Sequence, residues 1–147
     1  MNVTRQRTSL GALQDLAALI VLLTTGKARL YKDDGFVPDA NSVLADFTAH
    51  EADYTGYVAG GIALAAPTGP YADGVDQYAD NFPTVAFQPT GPVLVSNDIR
   101  GVFFEDSGND VQEFWIFETA MPMANVLDII LIDAKFVTNS IAQNVVR

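Results

Sequence analysis

Apolar positions change their period along this chain, and the changes predict where helix gives way to strand. Leu13, Leu16, Ala17, Ile20 and Leu23 recur at helical spacing. Thr8 or Ser9 is placed to cap that helix and Gly26 to end it. Such a short, strongly apolar helix acts either as a lid over the core or as an anchor inserted into a neighbouring subunit. From Lys27 to Lys32 the period drops to two, with Ala28 and Leu30 on one side, and Asp33-Asp34-Gly35 follows as a turn. Ala40 to Asp46 suits one or two helical turns capped by Asp39 or Asn41.

The remainder reads as β. Tyr54 to Val58 and Ile62 to Ala65 predict one long strand bent or bulged at Gly60-Gly61, with a turn-rich loop over 67–74. Shorter strands follow over 76–79 and 83–88, and Pro89-Thr-Gly-Pro92 interrupts the pattern. Ile99 to Asp106 and Val111 to Thr119 are aromatic-rich runs separated by turn residues Ser107 to Asp110, a hairpin signature. Centring the turn there sets Phe104 opposite Glu113, Phe103 opposite Phe114 and Val102 opposite Trp115, with Arg100 nearly opposite Glu118. Val126 to Val137 predicts a last strand, with Leu127, Ile129 and Leu131 on one face and Ile130, Ile132, Ala134 and Phe136 on the other. A strand apolar on both faces is central, covered by the helix, or part of a subunit contact. These elements predict a mainly β, single-domain antiparallel sandwich or barrel of about seven strands with an N-terminal α-helix. Within it, residues 1–26 form a basic arm and apolar helix and residues 27–147 the β domain.

Charge sharpens this division. The first 32 residues carry Arg5, Arg7, Lys27, Arg29 and Lys32 against Asp15 alone. Between Gly35 and Ala134 only Arg100 is basic, whereas fifteen residues are Asp or Glu. A net charge of −10 repels nucleic acid, which is bound through Lys and Arg on its phosphates. Any contact with an acidic partner therefore falls to Arg5 and Arg7. Yet 49% of the residues are hydrophobic, more than a small monomer easily hides, which points to oligomerisation or docking. The run Leu16 to Leu23 is too short to span a membrane, which takes about 20 apolar residues. Thr24-Thr25-Gly26-Lys27 after it is a poor cleavage site for a secretory signal.

Catalytic constellations are thin. Absence of cysteine excludes disulfides, thiolate nucleophiles and cysteine zinc sites. His50 is the lone histidine, too few for a catalytic zinc or a marked Ser-His-Asp set, and no phosphate-binding glycine motif is present. Glu105, Asp106, Glu113 and Glu118 share one hairpin and could supply a carboxylate pair, although a solvated rim explains them as well. Asp73, Asp76, Asp80 and Asn81 could offer oxygen ligands to calcium but lack the EF-hand order. No cofactor and no enzymatic activity are therefore expected.

Several segments in order, Lys27-Ala-Arg-Leu-Tyr-Lys-Asp33, Val37-Pro-Asp-Ala40, Ala45-Asp-Phe-Thr48, Ala52-Asp-Tyr-Thr-Gly-Tyr57 and Met121-Pro-Met-Ala-Asn125, resemble small structural proteins of tailed bacteriophages. That resemblance implies a capsid cement, or decoration, protein, or a head or tail component. It further implies a homo-oligomer, a trimer above all, seated on the capsid surface against the major capsid protein or another virion protein. Such a protein is soluble in the host cytoplasm before assembly and needs neither nucleic acid nor membrane. On this reading Arg5, Arg7, Leu13, Leu16, Ile20, Leu23, Leu127, Ile129 and Leu131 make the oligomer or partner contacts. The competing reading is a carbohydrate- or receptor-binding module of a fibre or tail, with Tyr54, Tyr57, Tyr71, Tyr78 and Trp115 as stacking faces.

Overall fold

A computed structural model of the chain describes residues 2–8, 16–72 and 78–137. The longest element is the expected hairpin: β7 (Asn97–Glu105) pairs antiparallel with β8 (Val111–Met123). Its register sets Phe104 against Glu113, Phe103 against Phe114 and Val102 against Trp115, as the period-two pattern requires. Asp106 builds the turn, since its carboxylate accepts the N–H groups of Gly108 and Asp110 and the side-chain amide of Gln112. Asn109 takes the left-handed conformation there, which its short polar side chain tolerates. The register shifts between Ile99 and Gly101, so Arg100 falls in an irregularity and does not face Glu118 in the ladder.

Around this hairpin a five-stranded antiparallel sheet forms in the order β1, β8, β7, β2, β3, where β1 is Val3–Arg7, β2 is Lys27–Lys32 and β3 is Ile62–Ala63. A three-stranded sheet of β4 (Thr68–Ala72), β5 (Tyr78–Asn81) and β10 (Lys135–Val137) and a two-stranded sheet of β6 (Val85–Phe87) and β9 (Ile130–Ile132) complete the β structure among the described residues.

Both faces of the main sheet are buried, because β2, β7 and β8 present apolar residues on alternate sides. Ala28, Leu30, Val102, Phe104, Trp115 and Phe117 face a core closed by β6, β9 and the helix α1 (Leu16–Thr24). Tyr31, Phe103 and Phe114 face the other way, under Phe36 and the short helix α2 (Leu44–Thr48), whose Phe47 is completely buried. Gly101 is required in β7, because a Cβ there would strike the backbone oxygen of Trp115 and the Tyr31 hydroxyl, which donates to that same oxygen at 3.0 Å.

Mainly β structure with antiparallel sheets matches the expectation, and packed layers resemble a sandwich. Among the described residues a closed barrel does not form: the main sheet ends at β1 and β3. The first element is a strand, not a helix. Val3–Arg7 pairs with β8, and Thr8 extends the ladder by donating to Val111 O and Gln112 O. Residues 9–15, where the helix was expected to begin, lie outside the described residues. At its C-terminal end α1 closes as expected, with Gly26 N–H donating to Leu23 O. A side chain at Gly26 would collide with the backbone of Glu105.

Three other expectations are corrected. The segment 54–61 is a series of turns, with Gly56, Gly60 and Gly61 all at positive φ, and only Ile62–Ala63 pairs as a strand. The second helix lies later than expected, because Asp39 turns its side chain onto Asn41 N–H and forms a turn ahead of it. The long strand over 126–137 is two short ones in different sheets, broken at Asp133-Ala134.

Candidate partner-binding surface

The turn before β9 is rigidly built. Asp128 accepts the N–H groups of Ala124 and Asn125, each at 2.8 Å, and its own N–H donates to Asn125 O. These N–H groups hold the Asp128 carboxyl below its ordinary value. Gln88 adds a side-chain N–H to Val126 O at 2.5 Å. With its polar groups satisfied inward, the turn projects Leu127, which is 85% exposed. A second loop does the same: Thr55 Oγ1 accepts from Leu94 N–H and Val95 N–H at 3.0 and 2.9 Å, leaving Leu94 86% exposed. Leu127 and Val93, the neighbour of Leu94, line one shallow groove together with Pro92 and Val126.

β9 continues the apolar surface. Ile130 and Ile132 point into the core, so by alternation Leu131 points out, 57% exposed, with Ile129 at 44%. Leu131 also stands at the rim of a cavity of about 310 Å3 between β1, β8 and β9, whose walls include Val3, Trp115, Met121, Ile130 and Ile132. Arg5 closes one side. Its guanidinium lies 4.6 Å over the Trp115 ring and donates to Glu113 Oε2 at 2.8 Å, and Trp115 Nε1 donates to the same oxygen at 3.1 Å. Arg7, next but one on β1, is half-buried; burial, opposed by Glu113 and reinforced by Arg5, lowers its pKa.

The expected contact residues divide accordingly. Leu127, Ile129 and Leu131 are all exposed. Leu23 is fully buried and Ile20 packs against the core, so at these positions α1 serves as a lid within its own chain. Arg5 is likewise turned inward onto Glu113; the basic segment is a strand of the sheet and not an extended arm. Leu13 and the Leu16 side chain lie outside what the structure describes. Leu94, Val95 and the cavity were missed. The signal for the first two was Val93-Leu94-Val95, an apolar triplet placed straight after the Pro89-Thr-Gly-Pro92 breaker, where no strand could bury it.

The hairpin carboxylates are not the solvated rim expected of them. Glu105, Asp106 and Glu113 are all buried, each engaged by Arg29, by the turn N–H groups or by Arg5, while Glu118 is exposed. His50 stacks on Phe36 and meets Asp34 at 2.8 Å. Of the aromatic residues considered for sugar stacking, Tyr54 and Trp115 are buried, and the Tyr57 hydroxyl is committed to Glu51 and Leu30 N–H. The side chains of Tyr71 and Tyr78 lie outside the described set. Among the described residues no group of three His, Asp or Glu is placed to hold a metal, and no helix is long and apolar enough to cross a membrane. Asp73 and Asp76 lie outside those residues. No family model, curated protein or solved structure matches this chain, so its function is argued from this surface.

Proposed function

We propose that the chain is a structural protein of a tailed-phage virion, of the cement type, which packs as an oligomer on the capsid surface through the apolar face at Leu94, Leu127, Ile129 and Leu131. The observation that carries the reading is the rigidity of that face. Exposed leucines scattered singly need no explanation, but here two tips are each fixed by backbone hydrogen bonds to a side chain of their own chain, Asp128 or Thr55. Anchors held in place before binding lose little conformational freedom on docking, which is how a small patch gains affinity.

Charge supports the same role. A net charge of −10 disfavours polyanions as partners. A subunit that repeats on a shell gains avidity from its own oligomer, a trimer above all, so each contact with the major capsid protein can be small. The reading assigns no catalysis, because the buried carboxylates are taken up by arginines and turn N–H groups.

Shells purified from a phage deleted for this chain provide the test. Added protein should co-sediment with them to saturation and raise their melting temperature, and Leu127→Ser with Leu131→Ser should abolish both effects. Failure of the unaltered, folded protein to bind such shells would overturn the proposal.

A further inference from the structure

The cavity of about 310 Å3 between β1, β8 and β9 interrupts the core itself. Its floor is made by Trp115, Phe117, Ile130 and Ile132, all members of the larger hydrophobic cluster. Val3 and Met121 stand half-buried at its sides, and the exposed Leu131 and Asp133 mark its mouth. Water enters such a space only where it finds two to four polar partners, and an apolar cavity of about 150 Å3 stays dry and takes up benzene instead. Sites for small molecules begin at about 300 Å3, with mostly apolar walls and a few placed polar groups, and this cavity has both the size and that lining.

The polar groups of the wall set the chemistry of the occupant. Arg5 is buried and committed within the chain: its guanidinium lies over the Trp115 ring and donates to Glu113, to which Trp115 Nε1 donates as well. The one cation of the lining is therefore neutralised where it stands. Asp133 is the charge left at the mouth, and it accepts the Thr84 hydroxyl with one of its two carboxylate oxygens. A hydroxyl brought to the mouth would donate to that carboxylate, whereas an anionic head group would be repelled by it. Five of the seven apolar wall residues are aliphatic, Val3, Met121, Ile130, Leu131 and Ile132, which suits a flexible chain.

We infer that the cavity is a binding site for an uncharged alkyl compound of medium chain length that ends in a hydroxyl group, with the chain laid on the floor between Trp115 and Ile132 and the hydroxyl at the mouth beside Asp133. The site goes beyond the packing role proposed above and does not depend on it; the two share only Leu131.

Titration of the full chain with 1-hexanol, 1-octanol and octanoate tests it, followed by the emission of Trp115, the only tryptophan. Both alcohols should give a saturable change, with 1-octanol bound about fifteenfold more tightly than 1-hexanol, since each buried methylene contributes about 0.8 kcal/mol. Octanoate should give none. The NMR signal of the Met121 methyl group should shift with the same midpoint, which places the ligand in this cavity. Val3→Phe narrows the cavity from β1 and should lose 1-octanol binding while its circular dichroism stays that of the unaltered protein. Should that variant fail to fold, Leu131→Trp, at an exposed position, closes the mouth and is read from the Met121 methyl. No saturable response to 1-octanol, octanoate bound as tightly as 1-octanol, or unchanged binding in the folded variant overturns the inference. Shell binding can fail or succeed independently of each of these results, so the packing role is tested apart from this site.

Discussion

Arg29 allows the strength of the buried polar network to be worked out from its surroundings. It lies on β2 with its Nε and Nη2 on Glu51 at 3.0 and 2.5 Å and its Nη1 on Glu105 at 2.8 Å. Glu51 also accepts from the Tyr57 hydroxyl and from Gly60 N–H, so one guanidinium organises β2, β7 and the turns over 54–61. Arg29→Met keeps an apolar stem over Phe103 but strands two carboxylates. An exposed ion pair contributes about 0.2–1 kcal/mol, whereas removing one partner of a buried pair costs about 3–5 kcal/mol. Side-chain exposures of 10, 12 and 8% for Arg29, Glu51 and Glu105 put this cluster in the second class. Against a total stability of about 5–15 kcal/mol, the variant remains folded but weakened. Urea unfolding followed by the fluorescence of Trp115, the only tryptophan, should then lose about 2 M in midpoint at a slope of about 2 kcal/mol/M. Adding Glu105→Gln removes one stranded charge and should return about 1–3 kcal/mol. A loss below about 1 kcal/mol, or no recovery in the double variant, would refute the claim that water is excluded from the network.

Phe47 is fully buried, with ring centroids 5.3 Å from Phe36, 4.7 Å from Phe103 and 5.5 Å from Phe114, so Phe47→Ala should cost about 3–5 kcal/mol in the same urea assay. Gly101→Ala forces a methyl group between Trp115 O and the Tyr31 hydroxyl and should cost about 1–3 kcal/mol, which Tyr31→Phe in the same chain should partly relieve. Burial alone would raise the Asp34 carboxyl, but hydrogen bonds from His50 and Phe36 N–H, with the charge of His50 and Lys32, hold it below its ordinary value. A lowered folded pKa stabilises above the unfolded value of about 3.9 and loses that contribution as pH falls through the folded one. Asp34→Asn should therefore cost at most about 1 kcal/mol at pH 7 and nothing once the pH lies below both values, read from thermal unfolding across that range.

The hairpin was legible to the residue because strict alternation and a turn-forming linker leave one register that buries Phe103, Phe104 and Phe114. Where both faces of a segment are apolar, alternation no longer tells a continuous strand from a broken one. Ile130 and Ile132 were correctly placed opposite Leu131, yet the break at Asp133-Ala134 was invisible, because it is set by which sheet each half joins. β1 was hidden for a different reason. Val3-Thr-Arg-Gln-Arg7 is polar by composition, and what makes Arg5 an inward residue is Glu113, more than a hundred positions away. The same long-range pairing hid the burial of Glu105 and Glu113, which composition alone assigns to solvent. The proposed partner-binding surface was legible around β9, where period two separates Leu131 from Ile130 and Ile132, and illegible at the cavity, which exists only once β1, β8 and β9 meet.

Hydroxyl-radical footprinting of the leucine side chains, with the protein free and then assembled on shells or with its own copies, tests the central claim most directly. Leu94, Leu127 and Leu131 are open to solvent in the single chain and should be oxidised when free and protected on assembly. Unchanged oxidation of all three, with protection appearing elsewhere on the surface, would contradict the account.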